Sequence, residues 1–196
     1  MVDKNKAHLV AKGFSQVLGI DYSKTFVLVS RMNSIQLVLS IVAANFWEVH
    51  HMDVKSYFLH GDLHEEIYME QPQGFVKDSS LVCRLWRSLY GLKQTPRAWY
   101  EKMDSFLLAS HFTRYHSNPT VYIQCHGVDL LILVLYVDDL IIIGSSSSII
   151  QSVQQALREQ FEMIDLGLLH YFLGLQVVQS SDGIAILQQK YALDML

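Results

Sequence analysis

Apolar and polar positions change period several times along this chain, and each change marks an element. Across residues 33–44, Ile35, Val38, Leu39 and Val42 recur at helical spacing and predict an amphipathic helix with one buried stripe. Residues 47–53 then turn to extended patterning, a short strand that ends on the carboxylate of Asp53. Thr95-Pro96 reads as a helix start, with Thr95 as N-cap and Pro96 at the first helical position. Trp99, Met103, Phe106 and Leu107 continue that helix as one apolar stripe. Residues 130–136 and 140–143 are runs of Ile, Leu and Val around Val137-Asp138-Asp139, the pattern of a hairpin buried on both sides with acids at its tip. Gly144 and the serines 145–148 form an exit loop, and Ile150, Val153, Leu157 and Phe161 predict a helix over 149–161. A last hairpin pairs 171–178 with 184–187 across Ser181-Asp182-Gly183, where Asp-Gly supplies the positive φ angles of a tight turn. Helices mixed with antiparallel hairpins make an α+β domain.

Composition narrows the function classes. With 196 residues, 51% hydrophobic and 17% charged, the chain is long and apolar enough to fold around a core, which excludes a disordered polymer. A net charge of −4 argues against attachment to nucleic acid by bulk charge, so any phosphate contact must be local. Two basic segments offer it. Lys4, Lys6, Lys12, Lys24 and Arg31 outnumber Asp3 and Asp21, and Lys77, Arg84, Arg87, Lys93, Arg97 and Lys102 outnumber Asp78 and Glu101. Between them lies an acidic cluster, Asp53, Asp62, Glu65, Glu66 and Glu70; the segments are basic surfaces for phosphates or simply solvated faces.

Other patterns exclude more than they suggest. Cys83 and Cys125 have no Cys-x-x-Cys spacing and read as reduced, buried thiols rather than a disulfide or zinc site. The charged N-terminus is unlike a secretory signal, and the apolar stretch 128–143 is short and carries two acids, so no membrane span is expected. His60 and His64 flank Gly61 without a His-Glu-x-x-His order, and His50 and His51 point to opposite faces of a strand. No Walker-type phosphate loop occurs.

Asp138 and Asp139 are the most informative residues, and they read either as an ordinary turn, where Asp is common, or as a site for a cation. Two adjacent carboxylates between apolar strands are costly unless a cation offsets their charge, and Asp53 at its own strand end is a candidate third ligand. Hard oxygen ligands of this kind suit two Mg²⁺ ions set for in-line phosphoryl or nucleotidyl transfer.

Longer motifs make the reading specific. Lys6-Ala7-His8-Leu9-Val10-Ala11-Lys12-Gly13-Phe14, Asp53-Val54-Lys55, Phe58-Leu59-His60-Gly61-Asp62-Leu63, residues 88–99 from Ser-Leu-Tyr-Gly-Leu-Lys-Gln to Thr-Pro-Arg-Ala-Trp, Tyr136-Val137-Asp138-Asp139 and Tyr171-Phe172-Leu173-Gly174 stand in the order found in copia-type retrotransposon reverse transcriptases. The chain resembles that family from Lys6 to its end.

The resemblance implies a right-hand polymerase, with fingers-like parts near 1–50 and 60–92, a palm at 51–59 and 93–180, and a primer-grip hairpin and the start of the thumb connection in 171–196. It implies Asp53, Asp138 and Asp139 as ligands of two Mg²⁺ ions, with Mn²⁺ as substitute. It implies Phe58 as the aromatic that excludes a 2′-hydroxyl, with Lys12, Arg31, Val54, Tyr90 and Gly91 also at the nucleotide. Lys93, Gln94, Pro96, Arg97 and Tyr136 would meet template or primer, and Phe172, Leu173 and Gly174 would belong to the primer grip. The implied partners are an RNA or DNA template with primer, deoxynucleoside triphosphates, and the integrase and ribonuclease H segments of a parent polyprotein, which together with most of a thumb are absent from this sequence.

Several positions depart from the family pattern. His8 stands where the family has an arginine, Val27-Leu28-Val29-Ser30-Arg31 keeps only Arg31 of a charged group, bulky Tyr57 precedes Phe58, and Ile164 replaces a lysine. These departures favour the alternative of a catalytically silent remnant that folds and binds nucleic acid; the intact aspartates favour the enzyme.

Overall fold

The computed structural model describes residues 8–25, 30 and 32–195. Candidate Arg31, the Lys6-Ala7 start of the first motif and Val27-Leu28-Val29 lie outside them. The elements in order are α1 (Met32–Asn45), β1 (Glu48–Val54), β2 (Asp62–Glu70), β3 (Val82–Arg87), α2 (Thr95–Ala109), β4 (Thr113–Arg114), β5 (Val121–His126), β6 (Asp129–Tyr136), β7 (Asp139–Gly144), α3 (Ser147–Gln160), β8 (Met163–Leu168), β9 (Tyr171–Phe172), β10 (Leu175–Ser180), β11 (Gly183–Leu187) and α4 (Gln189–Asp194), with short 3₁₀ turns at Gly13–Ser15 and Tyr57–Leu59. The result is mixed α+β with antiparallel strand pairing. Among the described residues no helix is long and apolar enough to cross a membrane.

The chain divides into two compact units, Met1–Val27 with Ser56–Phe106 and Leu28–Lys55 with Leu107–Leu196. The second holds a six-stranded sheet in the order β4-β5-β6-β7-β1-β8 and a three-stranded sheet β11-β10-β9. Residues that pair across antiparallel strands share a face, so Val49, Ile143, Ile132, Ile141 and Val134 lie together. They form one core with the predicted α1 stripe of Ile35, Val38, Leu39 and Val42 and with Phe172 and Val177. The opposite face, with Leu131, Leu133, Leu140 and Ile142, is fully buried as well, and α3 packs on β7. The hairpin buried on both sides is therefore as expected, but its turn is shorter: Tyr136 pairs with Asp139, leaving Val137-Asp138 alone at the tip.

Local geometry explains the C-terminal end of α1 and the start of α2. Trp47 N–H donates to Val42 C=O at 3.2 Å and Phe46 N–H to Ala43 C=O at 3.5 Å, a Schellman ending with Phe46 at φ 55° where glycine is usual. Helix α2 starts one residue earlier than its sequence suggests, with Thr95 its first helical residue rather than its N-cap. The Thr95 hydroxyl donates to Leu89 C=O at 2.6 Å instead of capping, because the preceding loop folds back over it.

In the first unit, β2 and β3 form a two-stranded ribbon. Ile67, with Leu63, Met69 and Leu85, packs against Ala11, Leu89 and Leu92, while Tyr68 and Trp86 are exposed on the other face. Cys83 is half-buried and Cys125 exposed, so the expectation of buried thiols is corrected: both stand on sheet positions that lack cover. The basic segment is also less bare than its sequence reads. Lys102 meets Asp62 at 2.6 Å, Arg84 meets Glu66 at 2.8 Å and Arg97 meets Glu101 at 2.7 Å.

Candidate active site

Strand register builds the acidic site. β1 runs between β7 and β8, so Asp53 pairs with Asp139 on one side and with Ile164 on the other. Val54 N–H donates to Asp138 C=O at 2.9 Å and fastens the end of β1 to the turn. Val137 in that turn has φ 57°, a left-handed conformation that a β-branched residue adopts only under constraint. The turn holds Asp138 half-buried at the mouth of an apolar sheet. Burial chiefly, with repulsion from Asp139 and Asp53, pushes the Asp138 carboxyl above the usual carboxylate range.

Asp139 is engaged by a residue the sequence reading left without a role. His51 Nε2 lies 2.8 Å from Asp139 Oδ1, and the imidazole is only 11% exposed. Its neighbour His50 points the other way, to Glu48 at 3.1 Å, as strand geometry requires. The signal was legible: His51 precedes Asp53 by two and must share its face. The His51 ring stands edge-on to Phe172 at 6.0 Å, and Phe172 edge-on to Tyr136 at 5.8 Å. Leu173 and Gly174, at φ 50° and 81°, make the tight turn between β9 and β10.

Three carboxylates at one end of the sheet, one of them raised by burial and like charge, are a donor set suited in hardness and charge to a divalent cation. The side chains are not gathered into a ready-made cage, since among the described residues no three His, Cys, Asp or Glu groups stand together as a metal-holding cluster. The fit lies in donor chemistry.

Of the nucleotide candidates, Lys12, Phe58, Tyr90 and Gly91 belong to the first unit and Val54 to the second. Phe58 is half-buried, with its ring 5.8 Å from Tyr57, 5.4 Å from Tyr90 and 6.2 Å from His8. Its carbonyl accepts the Ser88 hydroxyl. Lys12, Lys93 and Tyr90 are exposed. Gly91, at φ 97°, lies so close to the Ala11 carbonyl that a Cβ would collide with it, and Ala11 N–H donates to Tyr90 C=O at 2.8 Å. The glycine thus lets the segment around Ala11 pack on the 89–94 loop, a backbone role distinct from any approach to a nucleotide. Gln94 is 3% exposed, and its amide is occupied by Gln16 at 3.1 Å and the Asp21 carbonyl at 3.1 Å. Pro96 is half-buried, Arg97 is held by Glu101, and Val54 is buried.

Comparison with known proteins gives a consistent answer. The family model described as reverse transcriptase (RNA-dependent DNA polymerase) matches residues 1–196. The chain is 44% identical over 191 residues to the retrovirus-related Pol polyprotein from transposon TNT 1-94 of Nicotiana tabacum, covering 95% of this chain and 14% of that protein. It is 38% identical over 197 residues to the Pol polyprotein from transposon RE2 of Arabidopsis thaliana, covering 100% and 14%. A putative transposon Ty5-1 protein of Saccharomyces cerevisiae is 37% identical over 134 residues, 67% of this chain and 44% of its own. The chain therefore spans about one-seventh of the length of the plant relatives. No solved structure matches it significantly.

Proposed function

The chain belongs to the reverse transcriptase (RNA-dependent DNA polymerase) family, and from that premise we propose that it is the polymerising part of a transposon Pol polyprotein, extending a primer 3′-hydroxyl by RNA-directed nucleotidyl transfer. The observation that carries the reading is the register that sets Asp53 opposite Asp139 beside the Val137-Asp138 turn. We read the six-stranded sheet with its helices as palm and the β2–β3 ribbon as fingers-like.

Asp53, Asp138 and Asp139 would hold two Mg²⁺ ions, which when bound supply charge neutralisation at the transferred phosphoryl group and a more acidic 3′-hydroxyl. Phe58, propped by Tyr57 and Tyr90, is a stiff wall against the sugar and leaves no room for a ribose 2′-oxygen. Lys12 and Lys93 are exposed cations for phosphate, whereas Arg97 reaches one only by leaving Glu101. Gln94 and Gly91 shape the loop from within it. Tyr136 and the Leu173-Gly174 turn form the primer side, with Phe172 buried behind them rather than facing the primer.

Mg²⁺-dependent extension of a DNA primer on an RNA template by the purified chain, beside Asp139→Asn, tests the reading. The expected loss in the variant is roughly a thousandfold or more, since it removes an anionic ligand worth several kcal/mol. Extension by Asp139→Asn at the parental rate would reject the metal assignment. No extension by the folded parent would favour a silent remnant, a reading that Ile164 beside Asp53, in place of the lysine of the family pattern, supports.

A further inference from the structure

The polymerase reading leaves one close contact without a purpose, the bond between His51 and Asp139. A carboxylate only accepts, so His51 Nε2 carries the hydrogen and engages Oδ1, leaving Oδ2 for a cation. The contact is diagonal across the β1–β7 pair, because the residue opposite His51 is Ile141. His51 is buried, and Phe172, 3% exposed, stands edge-on against its ring. Phe172 in turn closes on Tyr136, the residue opposite Asp139 in β6. The ring is thereby fixed from both sides, which a histidine serving only as core filler does not require.

We propose that His51 is a positioning residue: it holds one oxygen of Asp139 so that the other is presented to a divalent cation, and Phe172 holds His51, tying the β9–β10 turn to the carboxylate. The inference rests on the metal assignment above and deepens it. Hydrogen bonds from outer groups to ligating carboxylates set their orientation and basicity, and their removal weakens metal binding without removing a ligand. A donor at the place of Nε2 is what matters, and a glutamine amide supplies one with similar reach.

The test uses the full chain and Mn²⁺ alone, with bound ion measured by electron paramagnetic resonance and folding followed by thermal melting. His51→Phe is expected to weaken Mn²⁺ binding roughly 10–100-fold, and His51→Gln to recover most of that loss. Phe172→Leu, which keeps the donor and frees the ring, is expected to fall between them. Equal Mn²⁺ affinity in the parent and a folded His51→Phe would overturn the inference and leave the polymerase reading intact. A parent that binds no Mn²⁺ would overturn both. A measurement that needs no substitution at His51 is the ¹⁵N resonance of its Nε2: Asp139→Asn is expected to move it, and an unmoved resonance would overturn the contact itself.

Discussion

Two antiparallel hairpins in this chain follow opposite rules. In β6–β7 both faces are covered, and residues 131–135 and 140–143 are buried without interruption. In β2–β3 burial alternates, with Ile67 and Leu85 under cover and Tyr68 and Trp86 in solvent. A hairpin covered on both faces tolerates polar side chains only where it ends, so its acids collect at the tip, where burial and its acidic neighbours push the Asp138 carboxyl up. A ribbon covered on one face carries charges along its whole length, and those charges pair on the surface, as Arg84 does with Glu66. Chemistry concentrates in the first kind of hairpin and is diluted in the second.

The largest expected difference between the two is in stability. Leu133→Ala, at a fully buried position, should cost about 3–4 kcal/mol through lost burial and the cavity left behind, whereas Leu85→Ala in the ribbon should cost about 1 kcal/mol. Urea melts of both variants check this; equal losses would break the comparison. The ribbon unit should instead show its importance in selectivity. Phe58→Ala is expected to raise ribonucleotide relative to deoxyribonucleotide incorporation roughly 10–100-fold, the range a pocket gains from such steric change, and an unchanged ratio rejects the gate.

A smaller effect concerns Asp138. Its carboxyl titrates above the usual range in the folded chain, so the folded state keeps a proton that the unfolded state has already lost. Stability therefore falls as pH rises out of the usual carboxylate range and through the raised value. Asp138→Asn should melt a few degrees higher than the parent near neutral pH, with the gain vanishing in acid; a gain independent of pH would contradict the assigned cause. The smallest expected change is at the tip itself. Val137→Gly relieves a left-handed residue by about 1–2 kcal/mol but loses side-chain packing and adds about 0.5–1 kcal/mol of unfolded-state entropy. Chemical denaturation should show a net change under about 0.5 kcal/mol.

Elements with an unmixed pattern were legible in the sequence. The α1 stripe is buried as its spacing demands, and helix α3 falls within a few residues of its predicted limits. The final hairpin forms, but its expected first strand over 171–178 is broken by the Leu173-Gly174 turn into β9 and β10, and Gly183 pairs with Ser180 so that only Ser181-Asp182 turn. The β2–β3 ribbon was not legible, because Glu65 on its covered face and Val82 and Trp86 on its exposed face blur the alternation, and part of its cover comes from distant Ala11. Strand β8 was hidden for a similar reason: Met163–Leu168 has mostly exposed positions and gains its place only by pairing with β1. Gln94, expected at template or primer, is buried, since nothing local announces that Gln16 and Asp21 will close over it.

The sequence by itself determined that this chain is α+β, that its strongest hairpin ends in Val137-Asp138-Asp139, and that its ordered motifs are those of a reverse transcriptase, for these depend on local periodicity and residue order. Only the tertiary structure decided that β1 enters the sheet between β7 and β8. That insertion sets Asp53 between Asp139 and Ile164 and brings His51 to Asp139 across 88 residues of chain. Register between segments so far apart is fixed by which faces can be buried together, and a one-residue slip would turn His51 and Asp53 to the opposite face.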